Sequence, residues 1–380
     1  MKEISERESE LPDAMTGQLQ RIASESKDII SLSIGEPDFL TPKPILNTIK
    51  KQLKYSTRYT SPEGIPELRE AISKKLKENK IKLPKENILV SSGSQAAFFT
   101  ALLVTLDPAD QVILPNPSYM GYIPAIELVN ATPIYIKLEQ ENNFEINPDE
   151  IKSAINKKKT KVIILNSPSN PTGTIIRKKI LEEIADIAVN HDLYIFSDEA
   201  YEKIVYNKEY TSIGSLNGMK PYVITFQSLS KTYAMPGFRL GYAAGPKEII
   251  QAMKKTSNYI TLCPPHISQL AALKALTLNK RYVNKMVKSY KKRRDFLIPK
   301  LNELNLTTVN PDGAFYAFSN IKEYSKNSVN FTKKLIKEIK VATVPGSEFG
   351  KFGEGFIRFS YAADIKLIKK AVERLEKYLT

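Results

Sequence analysis

Short apolar runs alternate with amphipathic stretches through the middle of this chain. Runs rich in aliphatic and β-branched residues predict buried strands, and apolar positions spaced by three or four predict helices. The predicted strands are Ile88–Ser91, Gln111–Leu114, Pro133–Lys137, Lys161–Asn166, Leu193–Ser197, Tyr222–Gln227 and Leu240–Ala244. The helices predicted between them are Ser94–Leu106, Met120–Val129, Pro148–Ile155 and Lys178–Asn190. This alternation favours an α/β fold with a mostly parallel, doubly wound sheet flanked by helices.

The pattern changes from about Pro264 onward. A long helix is predicted near Arg281–Leu304, followed by short strands near Ala314 and Phe356 and a terminal helix from Asp364. These elements predict a second, smaller α+β domain. The predicted division is an N-terminal arm with part of the small domain (1–45), a large domain (46–275) and a small C-terminal domain (276–380).

The composition is that of an ordinary globular protein, with 42% hydrophobic and 26% charged residues. No apolar run approaches membrane-spanning length, and the first residues lack the order of a signal peptide. We therefore expect a cytoplasmic protein without a membrane partner. The one cysteine, Cys263, and the two histidines lead us to expect no Cys/His metal site.

The net charge of +15 raises the question of nucleic-acid binding. The densest basic cluster is Lys288, Lys291, Lys292, Arg293 and Arg294, and a second is Lys157–Lys159. Both lie in segments typical of a helix surface or a loop, and neither has a helix-turn-helix pattern. The other lysines are scattered, as on a solvated surface. We expect no nucleic-acid partner, although the charge can attract anionic substrates.

The stretch from Ser228 to Tyr242 carries the clearest chemistry. The Lys231 amine can form a Schiff base with an aldehyde, and Ser228, Ser230 and Arg239 can bind the oxygens of a dianionic phosphate. A short S-x-S-K motif also occurs by chance, with its lysine in solvent. The position of Lys231 after an apolar run and before a Pro-Gly turn favours a ligand site at a strand end.

Other polar residues follow predicted strands. Ser92, Gly93 and Ser94 open a helix, where they could bind an anion or where a serine could cap the helix. Asp198 ends an apolar strand, so its carboxylate stays charged only beside a cationic partner; it could equally cap a loop. Asn170 lies in a proline-rich turn after another strand and could also serve only that turn.

Arg358 lies inside the apolar run Phe356–Ser360. A buried guanidinium is costly unless an anion pairs with it. Its partner could be the α-carboxylate of a substrate, bound through two hydrogen bonds, or an internal Asp or Glu.

Taken together, these motifs resemble, in their order, those of the class I/II aminotransferases, fold-type I enzymes that use pyridoxal 5′-phosphate. The resemblance extends from Gly35 to Arg358. It implies that Lys231 forms the Schiff base and acts as general base, and that Asp198 pairs with the protonated pyridine nitrogen. Tyr201 and Asn170 would donate hydrogen bonds to the phenolic oxygen of the cofactor.

The same resemblance implies roles for the remaining candidates. Tyr119 would stack on the cofactor ring, where many relatives use Trp or Phe; it could otherwise be a core or surface tyrosine. Gly35, Asn170 and Arg358 would contact the substrate. Tyr59 would reach the phosphate in a neighbouring subunit, which implies a homodimer with shared active sites. The implied phosphate ligands within one chain are Ser92, Gly93, Ser94, Ser228, Ser230 and Arg239.

The implied activity is transamination from an amino acid to 2-oxoglutarate. The overall pattern looks closest to aspartate and aromatic aminotransferases, so aspartate is the first expected donor and aromatic amino acids the second. Two alternatives use the same fold: a pyridoxal-phosphate-dependent C–S β-lyase and a non-catalytic, aminotransferase-like regulator. Thirty-four residues precede Gly35 in this sequence, so we expect no DNA-binding module before it and favour the enzyme over the regulator.

Overall fold

The computed structural model describes residues 4–9, 11, 17, 21, 26 and 28–380. Its strands are β1 (Ile30–Ser31), β2 (Ile88–Ser91), β3 (Gln111–Asn116), β4 (Thr132–Lys137), β5 (Thr160–Asn166), β6 (Tyr194–Asp198), β7 (Val223–Ser228), β8 (Gly241–Ala244), β9 (Tyr316–Asn320), β10 (Val341–Ala342), β11 (Val344–Pro345) and β12 (Phe356–Ser360).

The helices found among these residues include both long amphipathic helices and single turns. They are α1 (Glu6–Ser9), α2 (Lys43–Gln52), α3 (Pro66–Leu76), α4 (Ser94–Thr105), α5 (Tyr122–Leu128), α6 (Pro148–Ala154), α7 (Lys178–His191), α8 (Leu229–Thr232), α9 (Lys247–Ile260), α10 (His266–Leu276), α11 (Arg281–Glu303), α12 (Ser328–Ile339) and α13 (Ile365–Leu379). Within this described part of the chain, no helix has both the length and the apolar character needed to cross a bilayer.

A seven-stranded sheet has the order β2-β8-β7-β6-β5-β3-β4. Strands β4, β3, β5, β6 and β7 run parallel to one another, while β8 runs antiparallel to both β7 and β2. The prediction of an α/β fold with a mostly parallel sheet is therefore confirmed. The predicted strand positions agree with the observed ones to within one or two residues at each end.

Helices cover both faces of this sheet, which explains why its strands are apolar on both sides. Val162 and Ile164 pack on one face with Phe98 of α4. Ile163 packs on the other face, in a cluster that contains Ile184 of α7. Each fully buried side chain of this size stabilises the fold by roughly 1.5–3 kcal/mol.

The strand directions bring several chain segments to one edge of the sheet. The parallel strands β5, β6 and β7 end at this edge with Asn166, Asp198 and Ser228. Because β8 runs in the opposite direction, Arg239 lies just before its start at the same edge. The end of β2 and the beginning of α4 at Ser94 also lie there. A ligand at this edge can therefore contact residues from five segments of the chain.

A smaller antiparallel sheet has the order β11-β12-β9. Its residues pack with α11 and α13, and Ile30 and Leu32 belong to the same hydrophobic cluster as Tyr290 and Ile357. Strand β1 pairs in parallel with β10. This part of the N-terminal segment thus lies against C-terminal residues. The predicted domain boundaries at 45 and 275 stay a prediction, and part of the predicted arm lies outside the described residues.

The basic cluster on α11 differs from its prediction. Arg293 and Arg294 are 5% and 3% exposed, so they do not belong to a helix surface. Arg293 donates two hydrogen bonds to the carboxylate of Asp38, at 2.9 and 2.8 Å. Arg294 donates to the carbonyl oxygen of Pro311 at 2.8 Å. These two arginines satisfy internal acceptors, and the basic surface of the helix is smaller than the sequence indicates.

Candidate active site

A cavity of about 280 Å³ lies at the edge where the parallel strands end. The structure brings nearly all predicted site residues into its wall. These residues are Gly35, Gly93, Ser94, Tyr119, Asn170, Asp198, Tyr201, Ser228, Ser230, Lys231, Arg239 and Arg358. Ser92 and Tyr59 do not line this cavity within the single chain.

Lys231 lies on α8, the short helix that follows β7. The Ser228 hydroxyl accepts a hydrogen bond from the backbone N–H of Ser230 at 3.2 Å and so caps this helix. The Lys231 side chain is half-buried and donates to the carbonyl oxygen of Gly35. Burial, followed by the positive charges of Arg358 and Arg239, lowers the pKa of Lys231 to about 8. This lysine is therefore not a solvated surface residue, and its amine becomes neutral at a pH where ordinary lysines remain charged.

Asp198 is held by hydrogen bonds to both carboxylate oxygens. Its Oδ2 accepts from the hydroxyl of Tyr122 at 2.7 Å, and its Oδ1 accepts from the backbone N–H of Ala200 at 3.0 Å. Burial raises the pKa of Asp198, and the hydrogen bond from Tyr122 opposes that rise. The contact with Ala200 is the loop cap foreseen as an alternative, so one residue can serve both purposes. Among the described residues, no lysine or arginine forms an ion pair with Asp198, which leaves it suited to a cationic ligand atom.

The beginning of α4 and Arg239 form one end of the cavity. Gly93 occupies the N-cap position with φ 92°, and no side chain caps the helix there. The alternative that Ser92 or Ser94 is a helix cap is therefore wrong. A Cβ atom at position 93 would lie 2.7 Å from Nη2 of Arg239, so only glycine lets the guanidinium approach this closely. The uncapped N–H groups and the guanidinium together make a site for an anion.

Arg358 is 3% exposed and lies on β12. It donates to Oδ1 of Asn170 at 2.9 Å and to the carbonyl oxygen of Ser33 at 2.8 Å. Its guanidinium also lies 4.3 Å from the centre of the Tyr316 ring. Among the described residues it has no carboxylate partner, and its buried Nε has no hydrogen-bond partner. The alternative of an internal ion pair is therefore wrong, and the positive charge is available to a ligand.

The remaining predicted residues surround the middle of the cavity. Because Asn170 turns its amide oxygen toward Arg358, its amide nitrogen is left to donate to a ligand. The hydroxyls of Tyr201 and Tyr316 lie 2.7 Å apart. Tyr119 is half-buried in the cavity wall and donates to Oε1 of Gln95 at 3.3 Å. It is therefore neither a core residue nor a plain surface residue.

Sequence reasoning missed Tyr122, Tyr316 and Asn166, which also line the cavity. Tyr316 lies on β9 on the same face as Phe318, the residue paired with Arg358 of β12. Finding it required the register of two strands that are distant in sequence. Asn166 ends β5 and accepts a hydrogen bond from the backbone N–H of Asn170 at 2.8 Å. The end of an apolar strand was a usable signal for Asn166, as it was for Asp198.

The family described as aminotransferase class I and II matches residues 27–375. The chain belongs to this family. This aminotransferase is 44% identical over 364 residues to the aspartate aminotransferase of Pyrococcus abyssi, an alignment that covers 94% of this chain and 93% of the relative. It is 42% identical over 365 residues to aromatic-amino-acid aminotransferase 2 of Thermococcus litoralis, with the same coverage. The solved aspartate aminotransferase of Thermus thermophilus with maleate superposes with a TM-score of 0.94, at 35% identity and full coverage of both chains.

The protein is thus a transaminase that uses pyridoxal 5′-phosphate, and its cavity fits that cofactor. An aldehyde needs a neutral amine, which Lys231, with its pKa lowered to about 8, could supply more readily than an ordinary lysine. A phosphate dianion needs N–H donors and positive charge, which the start of α4 and Arg239 supply. A protonated ring nitrogen needs an anion, which Asp198 supplies. The three groups lie in the wall of the same cavity.

Proposed function

We propose that this aminotransferase transfers the amino group of aspartate, and with second preference that of aromatic amino acids, to 2-oxoglutarate. One observation carries this proposal: an amine with a lowered pKa, Lys231, lines the same cavity as Asp198 and as Arg358, which has no carboxylate partner among the described residues. The choice of donors is supported by the aspartate and aromatic aminotransferases among its relatives.

In the proposed mechanism, the bound cofactor supplies an electron-accepting ring. Lys231 would hold the cofactor through its Nζ. Once the amino acid has displaced that bond, the freed Nζ would take the proton from the α-carbon of the amino acid and pass it on to the cofactor, and in the second half of the reaction it would carry a proton back to the α-carbon of the new amino acid. Asp198 would place a negative charge beside the ring nitrogen of the cofactor, while Tyr201 and Asn170 would donate hydrogen bonds to its phenolic oxygen. By keeping the ring nitrogen protonated, Asp198 would allow the ring to take up the negative charge that develops when the proton leaves.

Binding is assigned to a different set of groups. Arg239 and the N–H groups at the start of α4 bind the phosphate, together with the hydroxyls of Ser94, Ser228 and Ser230. Arg358 binds the α-carboxylate of the amino acid through two hydrogen bonds. Gly35 covers the substrate with its backbone, where a Cβ atom would collide with the hydroxyl of Tyr316.

A panel of amino donors with 2-oxoglutarate as acceptor tests the substrate proposal. The holoenzyme should form glutamate with aspartate fastest and with tyrosine or phenylalanine next. The neutral walls formed by Gln95, Tyr119 and Met120 suit aromatic side chains, so these donors should saturate the enzyme at low concentration. If the enzyme turns over neither aspartate nor the aromatic donors, the proposed activity is contradicted. If it turns over no amino donor at all, the result favours the non-catalytic, aminotransferase-like regulator.

Replacing Arg358 with alanine should lower kcat/KM at least about tenfold for every donor, because a charge-assisted hydrogen-bonded contact contributes roughly 1.5–3 kcal/mol. The loss should be similar for aspartate and phenylalanine, since both carry the α-carboxylate. Arg177→Ala, at an exposed ion pair with Glu145, is the matched control and should have no effect. A loss confined to aspartate would mean that Arg358 binds the side-chain carboxylate of the donor instead of its α-carboxylate.

We also propose a homodimer in which Tyr59 serves the partner's active site. Tyr59 is 83% exposed and lies outside the cavity of its own chain. At limiting cofactor, where loss of its phosphate contact should leave Tyr59→Ala inactive, mixing Tyr59→Ala and Lys231→Ala subunits should regenerate about a quarter of wild-type activity, because half of the dimers are then mixed and each has one intact site. Mixing Lys231→Ala with Asp198→Ala should regenerate none, since every site keeps a lesion. Equal results for the two mixtures would contradict the role of Tyr59.

A further inference from the structure

Behind the strands that carry Asp198 and Ser228 lies a second group of buried polar side chains, which we call the rear network. It consists of Lys75, Glu199, Glu202, Gln227 and Tyr242, which together line a small cavity that shares only Ser228 with the active-site cavity. Successive side chains point to opposite faces of a strand. Gln227 therefore lies on the face opposite to Ser228, the next residue along β7.

The Gln227 amide connects Lys75 to the carboxyl group of Glu199, whose pKa is raised by burial. Its Nε2 donates to Oε2 of Glu199 at 3.2 Å, and its Oε1 accepts from the Nζ of Lys75 and the hydroxyl of Tyr242. Hydrogen bonds to charged groups are about twice as strong as those between neutral groups. The amide is thus held in one orientation, with both of its polar atoms bonded.

Lys75 in turn forms a buried ion pair with Glu202, with side-chain exposures of 9% and 3%. Burial alone would raise the pKa of Glu202, but the charges of Lys75 and Lys203 outweigh it and lower that pKa. Removing two ions from water costs several kcal/mol for each ion, so such a pair contributes little net stability compared with apolar packing. The position of the Lys75–Glu202 ion pair behind the strand ends indicates a role other than stabilising the fold.

On each of the two strands, a residue of the rear network is the immediate sequence neighbour of an active-site residue. Glu199 directly follows Asp198, and its backbone N–H donates to the carbonyl oxygen of Phe226 at 2.9 Å. Gln227 directly precedes Ser228, the residue that caps the helix of Lys231. The Glu199–Gln227 hydrogen bond therefore ties the end of β6 to the end of β7 from behind.

We propose that Gln227 and Lys75 are positioning residues, which fix the carboxylate of Asp198 relative to the helix that carries Lys231. This inference rests on the roles of Asp198 and Lys231 in the proposed function. Loss of the Gln227 bonds lets the two strand ends move apart. The proton transfer at Lys231 slows because displacements of about 1 Å cost up to a hundredfold in rate.

The first test is Gln227→Met, which keeps the length of the side chain and removes its hydrogen bonds. We expect kcat to fall about tenfold or more, with the KM of the amino donor changed less than about twofold, because Arg358 lies on another sheet. Backbone amides of Glu199 and Ser228 should exchange hydrogen faster in both apoenzyme and holoenzyme. Lys75→Met should show the same signature.

Ser73→Ala is the matched control. Ser73 is buried on the same helix as Lys75, and its hydroxyl donates to the carbonyl oxygen of Leu83 at 2.6 Å, away from the rear network. This variant should lower Tm without changing kcat or the exchange of the strand-end amides. A Gln227→Met enzyme that behaves like Ser73→Ala, with a lower Tm and wild-type kcat, overturns the inference.

The second test is Gln227→Glu, which places two carboxyl groups next to each other. When the two carboxyl groups share one proton, the new side chain can still donate a hydrogen bond to Glu199. The connection between the ends of β6 and β7 is then kept. At higher pH the two carboxylates repel each other and the tie is lost. The ratio of variant to wild-type kcat should therefore fall as pH rises, whereas that of Gln227→Met stays flat. The charged and titratable groups around this position are Lys75, Glu199, Glu202, Tyr210 and Tyr242.

Asp198→Ala and Lys231→Ala, measured beside these variants, distinguish failure of the proposed catalytic roles from failure of the positioning role. If these two substitutions leave turnover intact, the proposed roles of the catalytic groups fail. If they abolish turnover while both Gln227 variants keep wild-type kcat and a ratio independent of pH, only the positioning role fails.

Discussion

Replacing Lys231 with alanine should lower the rate of amino transfer by at least about a thousandfold, because the proposed mechanism assigns both the covalent attachment and the proton transfer to this one side chain. Weak cofactor binding should remain through Arg239 and the start of α4. Lys254→Ala, at an exposed lysine paired with Glu63, is the control and should keep full activity. Steady-state assays with the donor panel make the comparison.

The site of attachment can be tested independently of turnover. Borohydride reduction of the holoenzyme should fix the cofactor to Lys231, and peptide mapping should find it there. In the apoenzyme, an amine-reactive reagent should label Lys231 with a midpoint near pH 8, since burial and two arginines lower the pKa of this group. An ordinary lysine becomes neutral only near pH 10.5. Attachment of the cofactor to any other lysine would refute the assignment.

Replacing Asp198 with alanine should have the second large effect. In the proposed mechanism the ring nitrogen then loses the anion that keeps it protonated, and the charge formed in the transition state should be less stable by roughly 3 kcal/mol or more. The half-reaction with a single amino acid should slow by at least about a hundredfold. Stopped-flow measurement of that half-reaction gives the rate without contribution from the acceptor.

Arg239→Ala is the contrasting variant, because this side chain is assigned to phosphate binding. It should weaken cofactor retention, and added pyridoxal 5′-phosphate should restore most of the rate. Asp198→Ala should stay slow at every cofactor concentration. If both variants recovered fully at high cofactor concentration, the electronic role of Asp198 would be wrong.

Much of the fold could be predicted because its signals are local. Apolar strands such as Lys161–Asn166 and the amphipathic terminal helix from Asp364 show their periodicity within a few residues. The observed β5 and α13 lie at these positions, and Asp364 caps α13 by accepting from the backbone N–H of Lys366 at 2.8 Å. The basic cluster on α11 was misjudged because sequence spacing cannot show that Asp38, distant in the chain, would reach Arg293.

By itself, the sequence determined which polar groups follow the apolar strands, since Asp198, Asn170 and the Ser228–Lys231 turn are set by local order along the chain. Only the tertiary structure decided which of these groups touch and in what charge state. Asn170 and Ser33 hold Arg358, Tyr122 holds Asp198, and burial together with two arginines lowers the pKa of Lys231. Those contacts depend on strand register and burial between segments far apart in sequence, where desolvation and charge act through space.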